Sequence, residues 1–346
     1  MLNKTEFTKR TGISLPLIQA PMAGVTTPEL VAAVSNAGGL GSLGAALMQP
    51  DELRKTIHRI RELTQRPFNV NLFIPSPHQR EPIVYEPFLQ HLKQYESELG
   101  FGVSRELSPP PPFEKQIEVL LQEKVPIFSF TFGIPPLSIL QDFQKRNILV
   151  IGTATHVKEA LALQEAGVDF IVVQGKEAGG HRGTFLEDSL LPTLQLIKEI
   201  RSHVKKPLIA AGGIMEKKDI LAALNAGAAA VQMGTAFITC AESSAHPAYK
   251  KALLEWKGRN TVLTKAFTGK EARAIENRFT QEIGDVEIPP FPIAQSLTGP
   301  MRKAATAAHN PEFMSLWAGE KFRFCHSGTA QELIRALWSL DQGTDH

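Results

Sequence analysis

Cysteine is almost missing: 346 residues carry two, Cys240 and Cys325, with no CxxC spacing. Two thiols can close at most one bridge, so a disulfide scaffold is excluded and a free, reduced pair is expected rather than a redox or metal centre. Long apolar runs are missing too. No stretch reaches the roughly 18 residues of a membrane span, and Met1-Leu2-Asn3-Lys4-Thr5-Glu6 opens no signal peptide, so a cytoplasmic protein without a membrane partner is expected. Charge of one sign is not in excess. Lys+Arg and Asp+Glu number 37 and 35, a formal +2 with no block of like charge, which removes the electrostatic case for nucleic acid. Two nucleotide signatures are absent as well: no GxGxxG with a trailing acidic residue follows a strand, and no GxxxxGK[ST] occurs. A Rossmann NAD site and P-loop chemistry are therefore disfavoured. The ten histidines show no metal-ligand spacing, and no metal site is expected.

What the chain has is alternation. At 43% apolar residues there is material for a large core, and the length calls for two domains or one large α/β barrel. Eight short apolar runs are separated by helical patterns: Leu17 to Ala20, Leu40 to Leu43, Phe68 to Leu72, Ile127 to Phe130, Leu149 to Gly152, Phe170 to Val173, Leu208 to Ala211 and Ala230 to Met233. This rhythm predicts a parallel sheet, and eight strands close a (β/α)8 TIM barrel; a doubly wound open sheet is the alternative. Helix signals agree. Pro28 opens a helix that stops at Gly38, His156 to Ala166 stops at Gly167, and Asp219 to Ala226 stops at Gly227.

Two segments fall outside that rhythm. Residues 74–112 run from Ile74-Pro75-Ser76-Pro77 to Pro109-Pro110-Pro111-Pro112 around a helical stretch near Glu86 to Leu99. They read as an insertion after the third strand, either a lid or a passive excursion. The barrel is thus expected over 11–240 with this insertion, and 241–346 as a mainly helical region that caps or completes it.

The chemistry concentrates after strands. Val173-Gln174-Gly175-Lys176-Glu177-Ala178-Gly179-Gly180-His181-Arg182-Gly183 places one imidazole among four glycines directly behind an apolar strand. Glycine allows backbone to approach a flat or phosphorylated ligand, and His181 falls at a strand's carboxyl end, where α/β enzymes keep their chemistry. The loops after the last two strands, Ala211-Gly212-Gly213-Ile214 and Gln232-Met233-Gly234-Thr235, offer glycine N–H groups and a hydroxyl for a phosphate. Arg182 is read as pointing to solvent.

Gln19 to Val25, Val34 to Gly41, Gln174 to Gly183, Ala210 to Ile214 and Gln232 to Phe237, with Ser296 to Pro300 and Leu316 to Gly319 beyond, resemble the ordered motifs of the FMN-dependent nitronate monooxygenases, also called 2-nitropropane dioxygenases. The resemblance implies a (β/α)8 barrel holding FMN noncovalently, with His181 as catalytic histidine and O2 as co-substrate. Carried over, Ala20, Pro21, Met22 and Ala23 would run past the isoalloxazine ring, Asn71 and Gln174 would hydrogen-bond the flavin, Gly179, Gly180, Gly212 and Gly213 would meet it through main chain, and Gln232, Met233, Gly234 and Thr235 would hold the phosphate. The implied reaction turns an alkyl nitronate into a carbonyl compound and nitrite, a detoxification. His181 would act either as an imidazolium or N–H donor toward the nitro oxygens, or as a neutral base toward a nitroalkane. Lys270, Arg273, Arg302 and Lys303 either neutralise a carboxylated substrate such as propionate 3-nitronate or form a solvated face. Two other readings stay open: an NAD(P)H-dependent flavin reductase, enoyl-acyl-carrier-protein or quinone reductase-like, and a non-enzymatic flavin binder. A monomer or a homodimer fits equally.

Overall fold

Along Phe170-Ile171-Val172-Val173 the side chains alternate between two cores: Phe170 and Val172 face one apolar cluster, Ile171 and Val173 another. That period of two, buried on both sides, is what a barrel strand between an interior and a helical shell requires. The computed structural model describes residues 4–75 and 85–338. Its strands are β1 (Leu17–Gln19), β2 (Gly41–Gly44), β3 (Phe68–Phe73), β4 (Ile127–Thr131), β5 (Leu149–Ala154), β6 (Phe170–Gln174), the two-residue β7 (Gly180–His181), β8 (Leu208–Ala211) and β9 (Ala230–Met233). Eight of them, all but β7, pair in parallel in the order β1-β9-β8-β6-β5-β4-β3-β2. An Ile18 to Leu40 bridge brings the ends together, with Gln19 N–H donating to Leu40 O at 3.0 Å and Leu40 N–H to Leu17 O at 2.8 Å. The sheet is a nearly closed (β/α)8 barrel, and each of the eight expected runs is one of its strands.

Local chemistry explains how the helices seat. Thr27 caps Pro28–Asn36, its hydroxyl accepting from Leu30 N–H at 3.0 Å behind a proline in the first turn. That helix lies so close to β2 that a Cβ on Gly41 would sit 2.1 Å from Val31 O. The expected helices at 156–166 and 219–226 are found as Val157–Glu165 and Lys217–Asn225.

The lower end of the barrel is plugged. Helix Glu6–Thr11, closed by reciprocal Thr5 and Thr8 hydrogen bonds, buries Phe7 completely against the inward-facing Phe170, ring centroids 4.8 Å apart. Higher up, the interior turns polar: Asn69 Nδ2 donates to Ser42 and Ser129 hydroxyls, and Asn71 Nδ2 donates to Ser129 at 2.9 Å.

The insertion contains helices Glu86–Lys93 and Glu96–Leu99; its residues 76–84 lie outside the described residues. Phe88, Leu89, Leu92 and Tyr95 are buried, and Tyr95 packs on Phe313 and Phe279 of the C-terminal region. With Arg278 bound to Glu98 at 2.7 Å, this helical part is a packed element. Beyond residue 241 the chain is mainly helical, with one feature that periodicity had not signalled. A hairpin of β10 (Thr261–Thr264) and β11 (Ala272–Ile275) pairs antiparallel with β7, Ala272 opposite His181. Both cysteines are buried and unpaired.

Candidate active site

Above the polar layer a cavity of about 1060 Å³ opens at the carboxyl ends of the barrel strands. Ala20, Pro21, Met22 and Ala23 line it after β1, Asn71 on β3, Gln174 at the end of β6, and Gly179, Gly180 and His181 on the Gly-rich loop. Gly212 and Gly213 line it after β8, and Gln232, Met233, Gly234 and Thr235 at the end of β9. His181 and every residue expected to contact the flavin therefore meet at one cavity, while Arg182, Lys270 and Arg273 do not line it.

The glycines do different jobs. A Cβ on Gly175 would lie 2.0 Å from Thr193 Oγ1, and one on Gly183 would lie 2.8 Å from Thr153, so these two serve packing. Gly179 is pressed on the Leu316 to Gly319 segment, where a Cβ would meet the Ala318 carbonyl carbon at 2.5 Å. Gly212 and Gly213 follow one another with φ of 115° and 66°, a backbone that side-chain-bearing residues rarely adopt. The short helix Thr235–Ile238 starts at the same rim, so its leading N–H groups have no intrahelical acceptor. Thr235 Oγ1 accepts from Gly319 N–H at 3.0 Å and keeps its own proton to donate.

The loop carrying His181 is pinned from beneath. Gln174 spans it, Nε2 donating to His181 O at 3.1 Å and Oε1 accepting from Gly183 N–H at 2.7 Å, so much of this amide's capacity is spent on the protein. Arg182 does not point to solvent. It is fully buried, its Nε donating to Asp188 at 2.7 Å and its Nη1 to Gly175 O at 2.6 Å. Burial works against the Asp188 carboxylate, yet the Arg182 guanidinium holds it below the usual range. Glu159, also fully buried, accepts from the N–H groups of Phe185 and Leu186 and from the Thr184 hydroxyl, tying down the next turn.

His181 itself sits among aromatic rings. Trp317, Phe132, Phe291 and Phe73 surround it at centroid distances of 5.3, 5.9, 6.1 and 6.5 Å. Burial, reinforced by the positive charges of Lys270 and Arg302, pushes its pKa down to about 4, so the imidazole is neutral at pH 7. Its Nε2 lies 2.9 Å from Thr268 Oγ1, and that hydroxyl donates its single proton to Lys270 O at 3.2 Å. With that proton on Lys270 O, Nε2 carries the ring proton and Nδ1 the lone pair; with the Thr268 proton turned to Nε2, the two nitrogens exchange roles.

The four cations divide. Lys270 Nζ donates to Thr184 O and rests 4.4 Å over the Phe132 ring. Arg273 is buried and bound to Lys176 O, Thr261 and Glu320. Arg302 and Lys303 both line the cavity, Arg302 half-buried and Lys303 exposed. They are thus neither one solvated face nor one anion site.

The nitronate monooxygenase profile matches residues 4–339. A probable nitronate monooxygenase of Staphylococcus aureus (strain MSSA476) is 41% identical, with 96% of each chain covered, and one of Staphylococcus saprophyticus is 41% identical over 95% of each. The chain belongs to the nitronate monooxygenase family. It is an oxidoreductase. Among solved structures, nitroalkane oxidase from Streptomyces ansochromogenes superposes with a TM-score of 0.90 at 38% identity, covering 96% of each chain. FabK from Thermotoga maritima gives 0.77 at 29% identity, covering 96% of this chain and 94% of its own.

Sequence reasoning for this family member missed Thr268 and the phenylalanines around His181. No local pattern marks them, because they come from β3, the loop after β4 and the C-terminal region. Trp317 stood in a motif that resembled the family but carried no role. Lys321, which lines the cavity and pairs with Asp219 at 2.6 Å, gave no signal either. No helix among the described residues is long and apolar enough to cross a membrane.

Proposed function

We propose that this family member oxidises alkyl nitronates with O2 through noncovalently held FMN, releasing a carbonyl compound and nitrite. The observation that carries the reading is a neutral, aromatic-walled His181 in the same cavity as two glycine loops suited to a phosphate. FMN fits what is there. Gly212, Gly213 and the start of helix Thr235–Ile238 offer N–H donors without a second dinucleotide fingerprint, and Thr235 adds a hydroxyl proton. The volume lies at the upper end of ordinary ligand pockets, with space for a cofactor and a small substrate together. Asn71, its Nδ2 engaged by Ser129, keeps its carbonyl oxygen to accept from the ring system, while Ala20 to Ala23 form an uncharged wall for it.

When bound, FMN supplies the electron acceptor for the nitronate and the place where O2 is reduced. The protein's own part is positioning and proton transfer. Desolvation among the aromatic rings keeps the His181 imidazole uncharged, and in the tautomer that donates from Nε2 to Thr268 the Nδ1 lone pair is available at pH 7 to take the α-proton of a nitroalkane. The resulting imidazolium is less favoured in that setting than in water, which returns the proton readily.

The test is a spectrum. Purified protein is expected to be yellow and to release FMN on denaturation; nitronate added without O2 should bleach it, and admitting O2 should restore the colour and yield nitrite. Colourless protein that FMN cannot reconstitute overturns the cofactor assignment. Bleaching by NADH or NADPH with no response to nitronate assigns the flavin reductase instead.

A further inference from the structure

Three features outside the assigned roles stand out: the tilted His246 and His309 ring pair in the cavity lining, the buried Arg182 with its Asp188 partner, and Arg302. The last carries furthest. Its Nε donates to Thr298 Oγ1 at 3.1 Å and its Nη2 to Gln295 O at 2.8 Å, both neutral acceptors. Among the described residues no carboxylate pairs with it, and burial alone pulls its pKa down to about 10. A guanidinium left in such a setting without a counter-charge is costly, unless the position exists for an anion that arrives from outside.

We propose that Arg302 is the substrate-anion fork of this site, gripping planar two-oxygen anions of the nitronate and carboxylate class. A nitronate and a carboxylate share the shape that matters: two equivalent oxygens in one plane, carrying one negative charge between them. The N–H groups that Arg302 does not spend on Thr298 and Gln295 can meet both oxygens at once, a recognition that lysine cannot reproduce. Arg302 lines the cavity with His181, and its charge reaches the imidazole. An anion held there therefore shares the cavity with the base, whether it arrives preformed or is made by His181. The other cations do not compete for the role: Lys270 and Arg273 are occupied by the protein, and Lys303 is solvated. A consequence is that simple carboxylates without any nitro group should bind and compete.

The inference rests on the nitronate reading for its substrate but not for its binding test. Calorimetry of the flavin-bound protein with propionate is expected to show one saturable site that nitronate displaces. Arg302→Met should weaken propionate at least ~30-fold and raise the KM for nitronate similarly with kcat changed less than ~3-fold, as for loss of one partner of a desolvated charge pair. Arg302→Lys should recover only part of this, staying ~5-fold or more weaker because the fork is gone. Circular dichroism melting and flavin content establish that each variant is folded, and Arg302→Lys carries the test should the methionine variant not be. Wild-type protein that ignores propionate, or variants that bind it as wild type does, overturns the proposal. If propionate binding depends on Arg302 while nitronate is not oxidised, the fork stands and the reaction assigned above falls.

Discussion

The two ends of the barrel are built from the same eight strands and have opposite character. At the lower end Phe7, Ile18, Leu40, Ile127, Ile151, Phe170 and Ile209 form a buried apolar cluster. At the upper end the strands give way to loops whose glycines, amides and one uncompensated guanidinium face a cavity. The lower layer gains from burial and owes nothing to a ligand. The upper layer holds polar groups out of water and recovers that cost only when something binds, which is why chemistry settles there.

The largest expected effect that sharpens this contrast is at the upper end. His181→Asn should lower kcat/KM for a neutral nitroalkane by ~10² to 10⁴, the usual worth of a positioned base, and cost a preformed nitronate less than ~10-fold. Steady-state nitrite formation measures both, and the melting temperature should stay near wild type. Equal losses on the two substrates would make His181 an anion-holding group instead of a base.

At the lower end the pattern should invert. Phe7→Ala is expected to cost about 3–5 kcal/mol of stability, as for other fully buried aromatic truncations, and to leave kcat/KM of the folded protein unchanged. Urea denaturation reads the first quantity. A loss under about 1 kcal/mol would mean that the helical plug contributes little to closing the barrel.

The smallest effect concerns pH. An unfolded chain protonates a histidine near 6.5, whereas folded His181 does so at about 4, so the unfolded state binds more protons between those values. His181 therefore contributes no pH dependence above about 6.5, and stability declines as pH falls through the window, by about 1 kcal/mol or less at pH 6. In a histidine-resolved NMR titration its signal should not move between pH 5.5 and 8. A midpoint near 6.5 would show that the aromatic surround does not desolvate the ring.

How much was legible differs by residue. The places of Gly212, Gly213, Gly234 and His181 at the cavity were readable because each stands at a fixed offset behind an apolar run, and Gly212 and Gly213 have the positive φ that favours glycine. Arg182 was misread because adjacency in sequence carries no information on which way a side chain turns; only the fold shows Asp188 and the Gly175 carbonyl waiting for it. Arg302 and Lys303, one residue apart, could not be separated for the same reason. On the helix Gly299–Ala307 both line the cavity, but that single step leaves Lys303 exposed and half-buries Arg302.

By itself the chain's alternation of apolar runs and capped helices determined the barrel, since period, length and turn chemistry are local and agree with one another. It likewise determined that the glycine loops and His181 follow strand ends. The tertiary structure alone decided that His181 is neutral, that Thr268 stands against its Nε2, and that Arg302 has no carboxylate partner among the described residues. Those properties depend on desolvation and on partners more than a hundred residues away, and neither is encoded in any window of neighbouring residues.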